Sequence, residues 1–246
     1  ATYTGLTTLS STPTPSRITY THNTVPSTSG LAGTGAVTIQ PAANSSFASD
    51  FTPAYSWVNT LTGLTLGSSS NTANITLNNA IVINGPITVD GGQLNLNNIF
   101  QSTATGAHLI FRAKTSISNT ALTTLTTNGG NILLASNVDD AIDNDTTTNG
   151  YIRLDYGLNA YSNGGNITFG GTVDGSGRSG GDLYVGGGAN AVTVSTGAGN
   201  FVVKGQLIVA NSSTNGFAVT TTTGAVSIAG AIDSGNQYSF VDDSAT

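Results

Sequence analysis

The sequence predicts an all-β chain wound into a right-handed parallel β-helix, a solenoid with coils of about 16–20 residues. Three observations carry that reading. Thr, Gly, Ser and Asn fill half of the 246 positions, charged residues make up only 7%, and Glu and Met are absent, so most of the residues that build surface helices are missing. Short stretches alternate apolar and small polar residues with period two, which puts the apolar set on one face of a strand. Those stretches return at a degenerate interval, each led by Gly and by Asn or Asp. Hydrophobic residues still make up 37% of the chain, enough to build a core, so disorder is not the default.

Residues 1–62 form a less regular portion that packs on the rod. They hold five of the six prolines (Pro13, Pro15, Pro26, Pro41 and Pro53), Ser/Thr clusters and the single Trp57. Within them Ala36-Val-Thr-Ile39 is a strand, and Phe51 to Trp57 is a longer loop or lid whose aromatics cover the end or a flank. Residues 63–246 form the β-helix. Ile75-Thr-Leu77, Ile81-Val-Ile83, Ile87-Thr-Val89 and Leu94-Asn-Leu96 start 6, 6 and 7 residues apart, so each strand is short and no connection has room for a helix. Three strands with tight corners make one triangular coil, which runs from Ile75 to Leu94.

Further on, Gly129-Gly-Asn-Ile-Leu-Leu134, Gly164-Gly-Asn-Ile-Thr-Phe169, Gly180-Gly-Asp-Leu-Tyr-Val185 and Gly197-Ala-Gly-Asn-Phe-Val-Val203 share a Gly-[Asn/Asp]-apolar-x-apolar core, followed by Phe217-Ala-Val219. The lead residues Ile132, Ile167, Leu183, Phe201 and Val219 lie 35, 16, 18 and 18 apart, and the first interval reads as two coils. The whole chain then holds about eleven to thirteen coils, a rod of about 50–60 Å at the strand spacing. Its core stacks Ile75, Ile83, Val89, Leu96, Ile132, Ile167, Leu183, Phe201 and Val219. Corners between strands need positive φ, which Gly and then Asn or Asp enter at least cost. Asn131, Asn166 and Asn200 are therefore corner residues that can stack as a ladder. The sequons Asn74-Ile-Thr76 and Asn166-Ile-Thr168 fall in strands and are not read as glycosylation sites.

A formal net charge of −6, from six Lys and Arg against twelve Asp, leaves no basic footprint for nucleic acid or an anionic membrane. The absence of Cys removes disulfides, thiolate nucleophiles and Cys-type zinc sites. No apolar run is long enough for a membrane helix. The chain does not begin with Met and ends in Phe240-Val-Asp-Asp-Ser-Ala-Thr246 without an evident cap, so it reads as a mature piece or a segment of a longer fibre.

Four acids crowd one stretch: Asp139, Asp140, Asp143 and Asp145, in Val138-Asp-Asp-Ala-Ile-Asp-Asn-Asp-Thr-Thr-Thr-Asn-Gly150. A hard cation such as Ca²⁺ would relieve their repulsion, and Asp143-x-Asp145-x-Thr147 offers alternate oxygens. The EF-hand pattern fails, with Thr148 where Gly is needed and no closing Glu. The competing reading is a solvated acidic loop turned by its own Asp and Asn side chains. Arg112, Lys114 and Arg153 are the basic residues a polysaccharide-cleaving face would use, if coil stacking brought Arg153 alongside the other two. Asp155, two residues from Arg153, explains it equally well as charge balance. His22 and His108 are far apart, and with no Cys or Glu there is no recognisable triad, so no catalysis is expected. Thr123-Thr-Leu-Thr-Thr127 and Thr220-Thr-Thr-Thr223 raise the idea of a flat Thr ladder binding ice or crystalline polysaccharide, but Thr suits any exposed strand.

The ordered run Gly33-Thr-Gly-Ala-Val-Thr-Ile-Gln-Pro41, Leu61-Thr-Gly-Leu-Thr-Leu-Gly67, Ala73-Asn-Ile-Thr-Leu77, Ile83-Asn-Gly-Pro-Ile-Thr-Val89, Gly91-Gly-Gln-Leu-Asn-Leu96 and Thr103-Ala-Thr-Gly-Ala107 resembles the β-strand repeat region of large bacterial exoproteins. Those are the filamentous-haemagglutinin and autotransporter-adhesin families, and the resemblance covers roughly residues 33–230. It implies a secreted right-handed β-helix acting as a stalk, adhesin or matrix fibre. The expected role is thus an extracellular structural or adhesive segment at the bacterial surface, self-associating end to end. Its partners are copies of itself or further repeats, with surface glycans as a further class. The alternative is a β-helix that binds or degrades polysaccharide.

Overall fold

A computed structural model describes residues 18–21, 35–54, 57, 59–136, 150–170, 182–186, 190–210, 216–234 and 238–242. Among the described residues the regular structure is all β-strand, and no helix is long and apolar enough to cross a membrane. Among the described residues twenty-three strands, numbered in chain order, fall into three parallel sheets; the first three strands stack on one face, and from the third strand on each sheet takes every third one. The first face stacks β1 (Ile18–Thr21), β2 (Ala36–Gln40), β3 (Gly63–Gly67), β6 (Ile87–Gly91), β9 (Leu109–Ala113), β12 (Ile132–Ala135), β15 (Ile167–Phe169), β18 (Phe201–Val203) and β21 (Val226–Ile228). The second stacks β4 (Ile75–Leu77), β7 (Leu94–Leu96), β10 (Ile117–Ser118), β13 (Ile152–Leu154), β16 (Leu183–Val185), β19 (Leu207–Val209) and β22 (Ile232–Ser234). The third stacks β5 (Ile81–Ile83), β8 (Ile99–Thr105), β11 (Thr123–Asn128), β14 (Leu158–Tyr161), β17 (Val192–Gly197), β20 (Phe217–Thr221) and β23 (Tyr238–Asp242). This is a parallel β-helix.

Period-two patterning builds the core. In β4, β5, β7, β15 and β18 the first and third residues are buried and the middle one is half-exposed. The first two faces keep their register from strand to strand, so each inward side chain rests on the inward side chain of the next coil, as Ile132 on Ile167 and Ile167 on Phe201, while the third face shifts register only at the strand ends near Asn128 and Gly197. All nine core residues named from sequence are buried. Rings reinforce the aliphatic columns: Phe201 meets Phe169 edge-on at 5.5 Å and lies 5.8 Å from Phe217.

The coils are longer than the sequence spacing suggested. Ile75 does pair with Leu94, as the short intervals at the start of the rod required. Ile132, however, pairs directly with Ile167, so the interval read as two coils is a single one. Leu183 and Val219, read as successive rungs of the Ile132 column, belong to the second and third faces. The cause is that all three faces use the same apolar-x-apolar strand, so a rung of a neighbouring face imitates the next coil. Among the described residues the longest sheet has nine strands, and its eight steps span about 38 Å.

Phe51 pairs in parallel with Ile75, is buried, and meets Phe47 edge-on at 5.3 Å, so it adds a rung before the first strand of the second face. Trp57 is partly buried against the same core.

The corner leading into the first face explains the Gly-Asn repeat. Gly129, Gly164 and Gly197 have positive φ (80°, 114° and 63°), which turns the chain out of the third face. The next corner glycine is a close approach: a Cβ on Gly165 would run into the Gly130 carbonyl oxygen, and one on Gly199 into that of Gly165. Just before, buried hydroxyls brace the turn, with Thr127 Oγ1 donating to Gly130 O (2.6 Å), Ser162 Oγ to Gly165 O, and Thr221 Oγ1 to Gly224 O (2.8 Å). The working motif is thus a hydroxyl residue, a turn, a close-packed Gly and then Asn.

Candidate functional site

With the core closed by side chains, any function lies on the outward residues. On the first face the positions before β9, β12, β15, β18 and β21 form a ladder. Asn131 Oδ1 accepts the Asn166 N–H (2.9 Å), Asn166 Oδ1 the Asn200 N–H (2.8 Å), and Asn200 Oδ1 the Ala225 N–H (2.8 Å). His108 begins the same ladder, its Nδ1 accepting the Asn131 N–H at 2.9 Å. These residues cap strands. The second face repeats the device with Asp50, Asn74 and Gln93, and again where Asp182 Oδ1 accepts the Gln206 N–H at 2.8 Å.

The basic residues do not converge. Arg112 and Lys114 point outward from β9 and its following corner, between buried Phe111 and Ala113 as the alternation required. Arg112 forms a two-bonded ion pair with Asp90, its register partner on the adjacent strand: Nε to Oδ1 at 2.6 Å and a terminal nitrogen to Oδ2 at 2.8 Å. Arg153 lies on the second face, not alongside Arg112, because β13 and β9 belong to different sheets. Its Nε meets Asp155 Oδ2 at 2.6 Å, and its guanidinium carbon sits 4.8 Å from the centre of the Tyr184 ring. The Asp155 hydrogen bond is the largest influence on Arg153 and raises its pKa above the ordinary value. Charge balance thus accounts for both arginines.

Asp139, Asp140, Asp143 and Asp145 lie outside the described residues, as does His22. Among the described residues no group of three or more His, Cys, Asp or Glu could hold a metal ion. The Thr-rich run also differs from a flat ladder: Thr123 and Thr127 are buried inside the coil, and only alternate residues of β11 face out.

The second face carries a varied outer surface. Its central outward column runs Thr76, Asn95, Ser118, Arg153, Tyr184 and Ile208, consecutive in register. The first three saturate one another, Asn95 Nδ2 donating to Thr76 Oγ1 (3.2 Å) and Ser118 Oγ to Asn95 Oδ1 (2.5 Å). Sequence reasoning singled out Arg153 but missed Tyr184 as its neighbour, because a whole coil of chain separates them in sequence. No protein-family model, curated protein or solved structure matches this chain.

Proposed function

We propose that the chain is an extracellular structural or adhesive segment of a bacterial surface or matrix fibre. Its stack associates end to end with copies of itself or with further repeats of the same kind. The observation that supports this most is the unbroken stacking. From β3 onward the strands follow in every-third order on all three faces, so each inner coil is bonded on both sides by another coil. In such a stack the outermost strands carry unpaired N–H and C=O groups, which accept another strand edge in the same parallel sense. A head-to-tail contact of that kind does not close on itself and so propagates as a filament. The uncharged Thr, Ser and Asn surface and the paired arginines fit a spacer better than a catalyst. Accordingly, Arg153→Ala and Asp143→Ala should cost no turnover on any polysaccharide, and a reproducible, mutation-sensitive cleavage would contradict this.

Electron microscopy of the native material tests the reading. Filaments with an axial repeat near the length of one stack are expected, whereas discrete capped rods at every concentration would remove end-to-end association.

A further inference from the structure

We propose that the outer surface of the second face around Arg153 is a binding site for a neutral carbohydrate chain. This deepens the adhesive part of the proposed function and rests on it.

The guanidinium of Arg153 is held on two sides. Asp155 takes its Nε, and its guanidinium carbon lies over the Tyr184 ring. Asp155 is itself seated closely, since a Cβ on Gly186 in the next coil would collide with its Oδ1. A surface arginine normally loses considerable side-chain freedom on binding a ligand, and here much of that ordering is already in place. The two terminal nitrogens have no partner among the described contacts, although Arg153 is 46% exposed. In the column that runs through it, the side chains up to Ser118 are bonded to one another. Among the described residues, Arg153 is where that column presents donors with no partner.

The surroundings narrow the ligand. Asp155 neutralises Arg153, Asp182 lies beside Tyr184 on the same outward side, and the chain carries −6, so the patch has no attraction for phosphate or sulfate. A fork of N–H donors next to a carboxylate acceptor suits the adjacent hydroxyls of a sugar, which both accept and donate. Tyr151 and Tyr184 supply amphipathic rings for the apolar face of a pyranose, and Tyr156, 46% exposed, stands at the following corner. A peptide is a poorer fit, because the strands of this face are already paired on both sides and cannot accept another strand in the middle of the sheet.

Chain layout singles out the same place independently. Most corners between the first and second faces are short, such as residues 114–116 and 204–206. Among the corners from the first face to the second, two consecutive ones are long, residues 136–151 and 170–182, and they lead directly into β13 and β16. In repeat proteins, insertions often map to the binding face.

The test uses the full chain with cellohexaose, xylohexaose, mannohexaose and the N-acetylglucosamine hexamer at millimolar concentration, and oligogalacturonate as an acidic comparison. Calorimetry gives affinity and amide shifts in NMR give location. At least one neutral oligosaccharide should bind and shift residues 151–156 and 182–186. Arg153→Ala and Tyr184→Ala should each weaken binding about tenfold or more, Arg153→Lys should fail to restore it, and Thr76→Ala in the same column should leave it unchanged. Shift mapping on the unaltered chain needs no variant to fold. The site is overturned by binding of none of the neutral probes, by preference for oligogalacturonate, or by shifts on another face. If filaments still form when no glycan binds, the site falls and the fibre stands; if glycan shifts map elsewhere, adhesion stands without this site.

Discussion

Asn166 sits directly above Asn131, one coil on, and donates its backbone N–H to the Asn131 side-chain oxygen at 2.9 Å. The donor lies just before β15, at a corner where the backbone turns and would otherwise leave that N–H to water. Because Asn200 and Ala225 repeat the bond, the ladder ties four successive coils together at one edge of the first face.

Removing one rung should therefore be measurable but local. Asn166→Ala should destabilise the chain by about 1 kcal/mol, the ordinary net worth of such a bond, and Asn166→Asp should retain most of it because the acceptor oxygen remains. Urea unfolding of the three proteins checks this; equal loss in both variants would mean that the oxygen is not the working group.

Glycines at this corner should separate by mechanism. Gly165→Ala forces a Cβ against the Gly130 carbonyl and should cost about 3 kcal/mol, whereas Gly106→Ala, at a φ of 72° with open space around it, should cost about 1 kcal/mol. Melting temperatures in that order support the close-packed glycine column, and the reverse order would refute it.

How much of this was legible in the sequence differs by level. Period-two patterning exposed every core residue named in advance, because alternation depends only on neighbours in the chain. Coil length was not legible, since Leu183 carries the same Gly-[Asn/Asp]-apolar signal as Ile167 while belonging to another face. The ladder of Asn131, Asn166 and Asn200 could be foreseen from its repeated place before a strand. The Arg153 to Tyr184 contact could not, because it depends on the length of three intervening connections.

The core should respond to both polarity and volume. Ile167→Asp buries an unpaired charge and should unfold the chain, seen as loss of the strand signal in circular dichroism. Phe201→Ala should cost about 3–5 kcal/mol, since it empties the ring position between Phe169 and Phe217. A loss below about 1 kcal/mol would show that the ring column is not packed.

The two ion pairs should differ in weight. Asp90 is 6% exposed and doubly bonded by Arg112, so Asp90→Ala should destabilise by about 1.5–3 kcal/mol. Arg153→Ala, at an exposed pair, should cost at most about 1 kcal/mol. Denaturation in low and high salt checks the contrast, with the exposed pair losing the larger share of its effect.

The stacking of unequal coils is tested most directly by crosslinking, which the absence of native Cys makes unambiguous. Thr168 and Val202 are register partners on the first face, one long coil apart, and both point outward. Neighbouring positions on paired strands lie within reach of a disulfide. The double substitution Thr168→Cys with Val202→Cys should form an intramolecular disulfide under mild oxidation. Thr168→Cys with Tyr184→Cys, the pair that uniformly short coils would bring together, should remain reduced. Crosslinking of the second pair and not the first would contradict the account.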